Sequence, residues 1–231
     1  MLGSLNMGWR HVLFANWPVD PDVVQARLPD ALEVDTHDGR AWLSVVPFTN
    51  VDVRPKRAPS GVGLPLPELN LRTYVTYEGR PGVYFFSLDA QGVLAVLGAR
   101  AFHHLPYYYA RIALEVVGYR VRFESRRRHP GARPLRFDST YGPTGDRYHA
   151  DAGSLEFFLT ARDRYYTESP SGELRYAVVE HEPWPLYDAT AEIEPDEVFR
   201  ANGFATPESE PRYLYSPGVE TVASESKRLE P

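Results

Sequence analysis

Residues 68–110 read ELNLRTYVTYEGRPGVYFFSLDAQGVLAVLGARAFHHLPYYYA. In this stretch Glu68, Arg72, Arg100, His103, His104 and a series of tyrosines stand among apolar residues with almost no spacer. From Asn70 to Tyr77 the residues alternate. An extended chain therefore puts Glu68, Asn70, Arg72, Tyr74 and Thr76 on one side and Leu71, Thr73, Val75 and Tyr77 on the other. EGRPG is a turn, and Val83 to Leu88 is a second strand whose nearly continuous apolar run predicts burial on both faces. Val93, Val96, Leu97, Arg100 and His104 recur at three- and four-residue steps, which predicts a helix over 93–104. Leu105-Pro106 closes that helix, because proline disfavours helical geometry in the residue before it.

Two readings of the polar residues compete. Glu68 and Arg72 could form a surface ion-pair ladder, worth little energetically. The flanking segments are too apolar for an open face, however, and a buried acid or arginine has to be paired and hydrogen-bonded, as in many binding sites. Arg100 shares its helix with valine, leucine and alanine, so it too can face a polar pocket. Tyr107, Tyr108 and Tyr109 fit either a pocket or a core, since tyrosine packs half-buried with its hydroxyl wet.

Working outward, Trp9 to Trp17 (WRHVLFANW) forms a first strand or anchor. Asp20 and Pro21 open a short helix that Pro29 ends. Leu32 to Phe48 reads as a hairpin around THDGR, and residues 50–67, with repeated prolines, as a long loop. Tyr107 to Phe123 reads as one long strand, with a bulge near Gly118 where the apolar parity switches. SRRRHPGARP is a loop, Leu135 to Tyr141 a strand, and GPTGD a turn. Ser154 caps a helical turn or two that ends at Thr160. Arg164–Thr167 and Leu174–His181 form a hairpin. Tyr187 to Ile193 is a strand, Asp196 to Asn202 a short helix, and Arg212 to Val222 a last hairpin with SPG at its tip. The pattern predicts one β-rich α+β domain over residues 1–231, antiparallel with few short helices, and 223–231 as a frayed tail.

Composition narrows the function. The net charge of −6 argues against nucleic acid, whose phosphates reward a basic surface. There is no cysteine, which excludes disulfides, thiol nucleophiles and thiolate metal sites. No apolar run approaches membrane-spanning length and the start lacks a signal-peptide pattern, so a soluble cytoplasmic protein without membrane contact is expected. Phosphate-loop, dinucleotide-binding, HExxH and GxSxG motifs are missing. His103 and His104, adjacent on a helix, point about 100° apart and cannot chelate together. No metal and no cofactor are expected. Arg126, Arg127 and Arg128 form the basic run, which reads as a solvated loop rather than a phosphate site. Of the 25 lysines and arginines only Lys56 and Lys227 are lysines. Arginine binds anions but supplies no neutral amine nucleophile.

The segments ELNLRTYV, GVYFFSLDA, ARAFHHLPYYYA, SLEFFLTARDRYY and HEPWPL, with the WRHVLFANW opening and DGRAWLSVVPF, carry a resemblance from Trp9 to about Val222. The chain resembles the YqjF-like family of uncharacterised conserved proteins, grouped with the acetoacetate decarboxylase-like superfamily. That resemblance implies an antiparallel sheet closed into a cone-shaped barrel with the site inside. Acetoacetate decarboxylases use a Schiff-base lysine. Here the corresponding run is Arg100…Leu105-Pro106-Tyr107-Tyr108, and tyrosine stands in the lysine position. The resemblance thus implies a barrel pocket for a small organic anion, in a lyase or hydrolase without the Schiff-base lysine or in a non-catalytic binding protein. Glu68 would act as acid or base and Tyr107 would donate a proton or hydrogen bond. Arg72 and Arg100 would hold a carboxylate or enolate oxygen, with Tyr74 and His104 beside them. Assembly into a homo-oligomer is left open.

Overall fold

The computed structural model of the protein describes residues 4–92, 104–169 and 171–229. The strands are β1 (Leu5–Val19), β2 (Glu33–Val34), β3 (Ala41–Pro55), β4 (Leu64–Tyr77), β5 (Arg80–Ala90), β6 (Tyr107–Val117) and β7 (Arg120–Arg127). They continue with β8 (Arg136–Tyr148), β9 (Arg164–Glu168), β10 (Leu174–His181), β11 (Leu186–Ile193), β12 (Arg212–Ala223) and β13 (Lys227–Arg228). Short helices α1 (Pro21–Gln25), α2 (Leu155–Thr160) and α3 (Asp196–Ala201) lie between them. The helix starts follow from their caps. Asp20 Oδ1 accepts the Asp22 amide at 2.9 Å and Ser154 Oγ the Phe157 amide at 3.1 Å, which satisfies donors that a first turn leaves unpaired.

All strands belong to one sheet, and it closes on itself. Following hydrogen-bonded neighbours from β12 through β1, β3, β4, β5, β9 and β10 returns to β12. A second arc, β6–β7–β8–β11, leaves β5 and rejoins β12. The expected closed sheet is therefore present. It is not wholly antiparallel: β5 runs parallel to β9 through Val83 and Tyr84, and parallel to β6 through Leu88 to Ala90. β5 is where the two arcs divide.

The alternation on β4 sorts its side chains as the sequence predicts. Leu69, Leu71 and Val75 join a core with Leu13, Val121, Phe123 and Phe137, packed between the arcs. Tyr74 joins the other core, with Phe14, Val46, Phe48, Val83 and Trp184, inside the ring. Glu68, Asn70 and Arg72 face that same interior, where they line its cavity.

Several boundaries differ from expectation, each for a local reason. β2 pairs with β4 rather than β3, so Leu32 to Phe48 is not a hairpin; only His37 and Arg40 bridge across the turn. Residues 50–67 are mostly strand. β3 continues to Pro55 and β4 begins at Leu64, with a register shift between Asn50 and Val53 that absorbs the irregularity. The parity switch near Gly118 is a two-residue turn, not a bulge: Val117 pairs with Arg120 and Gly118 has φ +60°. Such turns require positive φ, which glycine adopts freely. GPTGD lies within β8, and SPG lies within β12, where Ser216 pairs with Val12 and Gly218 with Arg10. At the charged end, expected to fray, Arg228 and Lys227 pair with Arg175 and Tyr176 of β10. The helix predicted over 93–104 falls almost wholly outside the described residues. No helix among the described residues is long and apolar enough to cross a membrane.

Candidate functional site

The ring encloses a cavity of about 460 Å³. β5 is the spacer that assembles its polar wall. Glu68 on β4 pairs with Ala90, and Tyr107 on β6 pairs with Leu88. The tyrosine hydroxyl thereby donates to Glu68 Oε2 at 2.9 Å. Asn50 Nδ2 approaches the same oxygen at 3.4 Å, while Asn50 Oδ1 accepts the Trp9 indole N–H at 2.9 Å. Asn70 stands on the same face of β4, and its side chain helps to pull the carboxyl pKa down.

Glu68 is 5% exposed. Burial pushes its carboxyl up to about 7; the Tyr107, Asn70 and Asn50 side chains pull against that, and the nearby Asp89 charge adds to it. A carboxyl with this pKa holds its proton in slightly acid solution and releases it in slightly alkaline solution. Burial, then the Glu68 charge, raises Tyr107 well above the ordinary tyrosine value, so Tyr107 keeps its proton and remains a donor.

The linkage has a definite sign. Unfolded, Glu68 ionises near its ordinary value of 4.5; folded, near 7. Between those values the folded state binds more protons, so stability falls as pH rises, by about 3 kcal/mol at 1.36 kcal/mol per pH unit. Glu68→Gln is expected to abolish this fall. Urea denaturation of both proteins at pH 5 and pH 8 checks it.

Arg72 lies farther along the same face of β4. Its Nη2 donates to the Leu159 carbonyl at 3.1 Å, and its guanidinium stands 5.4 Å from the Phe14 ring. Arg72 Nε and Asn70 Oδ1 are buried and have no hydrogen-bond partner among the described residues, an uncommon state for buried polar atoms. Three further arginines among the described residues line the cavity, the first of them Arg54, which pairs with Asp52 at 2.9 Å. Arg162 is held by Asp35 at 2.8 Å and lies 4.4 Å over Phe158, while Arg164 lies 4.7 Å over Tyr176.

The expected site residues divide accordingly. Glu68, Arg72 and Tyr107 come together at one cavity. Tyr74 sits behind the wall: its hydroxyl bonds Ser44 Oγ at 2.8 Å and the Leu159 carbonyl at 2.9 Å, so it braces the carbonyl that holds Arg72. His104 is not among the residues lining the cavity; it has φ +55° and offers its carbonyl to Thr167 Oγ1 at 2.7 Å. Arg100 lies outside the described residues. Lys56 and Lys227 are exposed and do not line the cavity. No group of three or more metal-ligating side chains occurs among the described residues.

Sequence reasoning missed Asn50, Asn70, Arg162, Arg164 and the stacked pair Trp9 and Trp184, whose rings lie 5.6 Å apart at 7°. Asn50 was hidden by the prolines that follow it. The tryptophans were visible only as parts of the motifs WRHVLFANW and HEPWPL.

A sheet closed into a ring around a cavity is the fold shared with acetoacetate decarboxylase-like proteins. An acetoacetate decarboxylase-like enzyme from Sphingomonas wittichii RW1 superposes with TM-score 0.67 at 19% identity, covering 100% of this chain and 94% of that one. Acetoacetate decarboxylase from Legionella pneumophila subsp. pneumophila gives 0.66 at 14% identity, over 99% and 88%. The enduracididine biosynthesis enzyme MppR, complexed with pyruvate, gives 0.64 at 14% identity, over 99% and 90%. The chain belongs to the DUF2071 family, described as uncharacterized conserved protein, whose model matches residues 6–220. It is 44% identical over 209 residues to the uncharacterized protein YqjF of Bacillus subtilis (strain 168), covering 90% of this chain and 85% of that one.

Proposed function

We propose that the protein, acting as a single domain, binds a small organic anion in the cavity, with Glu68 as acid or base and Tyr107 as hydrogen-bond donor. Arg72 holds the carboxylate or enolate oxygen. The observation that carries this reading is the buried Glu68–Tyr107 pair, 2.9 Å apart, in a cavity also lined by Arg72, Arg162 and Arg164. Arginines in a mostly apolar wall favour an anion, and a carboxyl near pKa 7 is suited to proton transfer at neutral pH. With neither lysine at the cavity, the chemistry is that of a lyase or hydrolase without a Schiff base. The pyruvate bound by MppR suggests the first probe.

Pyruvate titrations followed by tryptophan fluorescence test this. Binding should weaken as pH rises through 7, because ionised Glu68 repels the anion, and Glu68→Gln should flatten that dependence. Arg72→Met should weaken binding more than about tenfold, the loss of a charged hydrogen bond. Unchanged affinity in Arg72→Met overturns the assignment of that arginine. A second reading, a binding protein without catalysis, rests on the absence of a lysine nucleophile. It prevails if the bound acid is recovered unchanged from the native protein; turnover lost in Glu68→Gln with binding retained decides for an enzyme.

A further inference from the structure

Glu68, Asn70 and Arg72 group at one end of the cavity wall, while Arg54, its charge paired with Asp52 at 2.9 Å, and His181, packed on Trp9 and Trp184, are the polar residues toward the other end. Along β4, Arg72, Asn70 and Glu68 face inward, and the next residue on that side is Leu66. From Arg72 to Leu66 the strand rises about 20 Å, at about 3.4 Å per residue. Beyond Leu66 the lining is mostly apolar apart from Arg54: Leu5 pairs with Pro55 of β3 and Ala223 of β12, and Ala223 pairs with Val179 of β10. All four line the cavity.

Aromatic rings connect the two ends. The Arg72 guanidinium lies 5.4 Å from Phe14, whose ring is 5.1 Å from Trp184. Trp184 stacks on Trp9 at 5.6 Å, and Phe48 meets Trp9 edge-on at 5.9 Å. Trp9 in turn holds Asn50, a partner of Glu68. A volume of about 460 Å³ falls in the range that encloses drug-sized ligands, roughly 300–1,000 Å³. A three-carbon acid would occupy the polar end and leave the aromatic panel and the Leu5–Val179–Ala223 end filled with water.

We infer that the occupant is an organic acid bearing an extended apolar alkyl or aryl group. Its acid end lies against Arg72, Asn70 and Glu68, and its apolar group runs along Trp184, Trp9 and Phe48 toward Leu5, Val179 and Ala223. This inference rests on the anion reading above and adds the apolar group.

The test is a series of 2-oxo acids, from pyruvate through 2-oxohexanoate to 2-oxooctanoate, with phenylpyruvate and the methyl ester of each. Each is titrated by calorimetry into the full-length protein. Affinity should rise about three- to fourfold per added methylene, the gain from burying one such group, and each ester should bind more weakly than its acid. Val179→Phe, which fills the apolar end, should weaken 2-oxooctanoate more than tenfold and leave pyruvate within about twofold. Equal affinities across the acids overturn the apolar-group inference and spare the anion reading. Esters that bind as tightly as acids, with the length dependence intact, overturn the anion reading instead. Absence of binding by every member overturns both.

Discussion

Arg127→Met is expected to destabilise the protein by about 3–5 kcal/mol, because it strips the counter-ion from a buried carboxylate. Arg127 Nε and Nη2 grip both oxygens of Asp89 at 2.6 Å, and the two side chains are 3% and 1% exposed. The guanidinium also lies 4.0 Å over the Tyr108 ring. Burial already raises the Asp89 carboxyl above its ordinary value, with Arg127 holding it down. Without the arginine, Asp89 must take up a proton or remain an unpaired buried charge, and either costs stability. Replacing both partners with apolar residues should recover most of the loss, since a buried pair is often no better than a packed apolar one. Urea midpoints of the wild type, Arg127→Met and the Arg127→Met/Asp89→Leu pair decide it. A single variant as stable as the wild type would show the bridge to be dispensable.

The effect reaches the cavity. Asp89 pairs with Tyr108, one residue beyond Tyr107, and its charge is one cause of the raised Glu68 carboxyl. The bridge therefore locks β7 to the β5–β6 junction and, by favouring ionised Asp89, keeps in place one of the charges that raise the Glu68 carboxyl.

Gly218→Ala is expected to cost about 3 kcal/mol or more, from strain and overpacking together. Gly218 has φ +130°, and a methyl group there would stand 1.8 Å from the Trp9 carbonyl oxygen and 2.8 Å from its carbon. The obstacle is backbone, so no rotamer change relieves it. β12 would have to draw away from β1 at Arg10, dragging Trp9 from Trp184 and Asn50. A drop in thermal midpoint together with altered tryptophan fluorescence checks this. An unperturbed midpoint would show that β1 and β12 are not packed this closely at Gly218.

These two positions show what the sequence made legible. The period-two pattern from Asn70 to Tyr77 predicted the strand and grouped Glu68, Asn70, Arg72 and Tyr74 on one side, while the burial of that side was argued from the apolar flanks; in the fold both faces of β4 meet a core. The Glu68–Tyr107 contact could be anticipated only through family resemblance; periodicity carries no information on which strands become neighbours across the untold turns of a closed sheet. Arg127 was concealed by its company. Three consecutive arginines look solvated, yet β7 alternates inward Val121, Phe123, Ser125 and Arg127, and the pattern runs on through Ser125 and Arg127 after the last apolar residue. Prolines misled in the opposite direction. Pro55 ends β3 and Pro65 and Pro67 lie in β4, where the expected loop treated them as breakers. His104 was expected beside the ligand, in helical step with Arg100, but its positive φ turns the chain and leaves a carbonyl to anchor Thr167.

The closing strand of the ring bears on when the cavity comes into existence. β12 touches β1, β10 and β11, and its pairing joins Leu5 to Ala223, nearly the whole chain apart. Such distant pairing slows folding, because loop closure is paid before the contacts return anything. On the ribosome, β1 through β10 can emerge and still enclose nothing. Until Arg212 to Ala223 have left the exit tunnel, Glu68 faces an open trough, and a chain that stops short of Arg212 should neither protonate this carboxyl abnormally nor retain an acid.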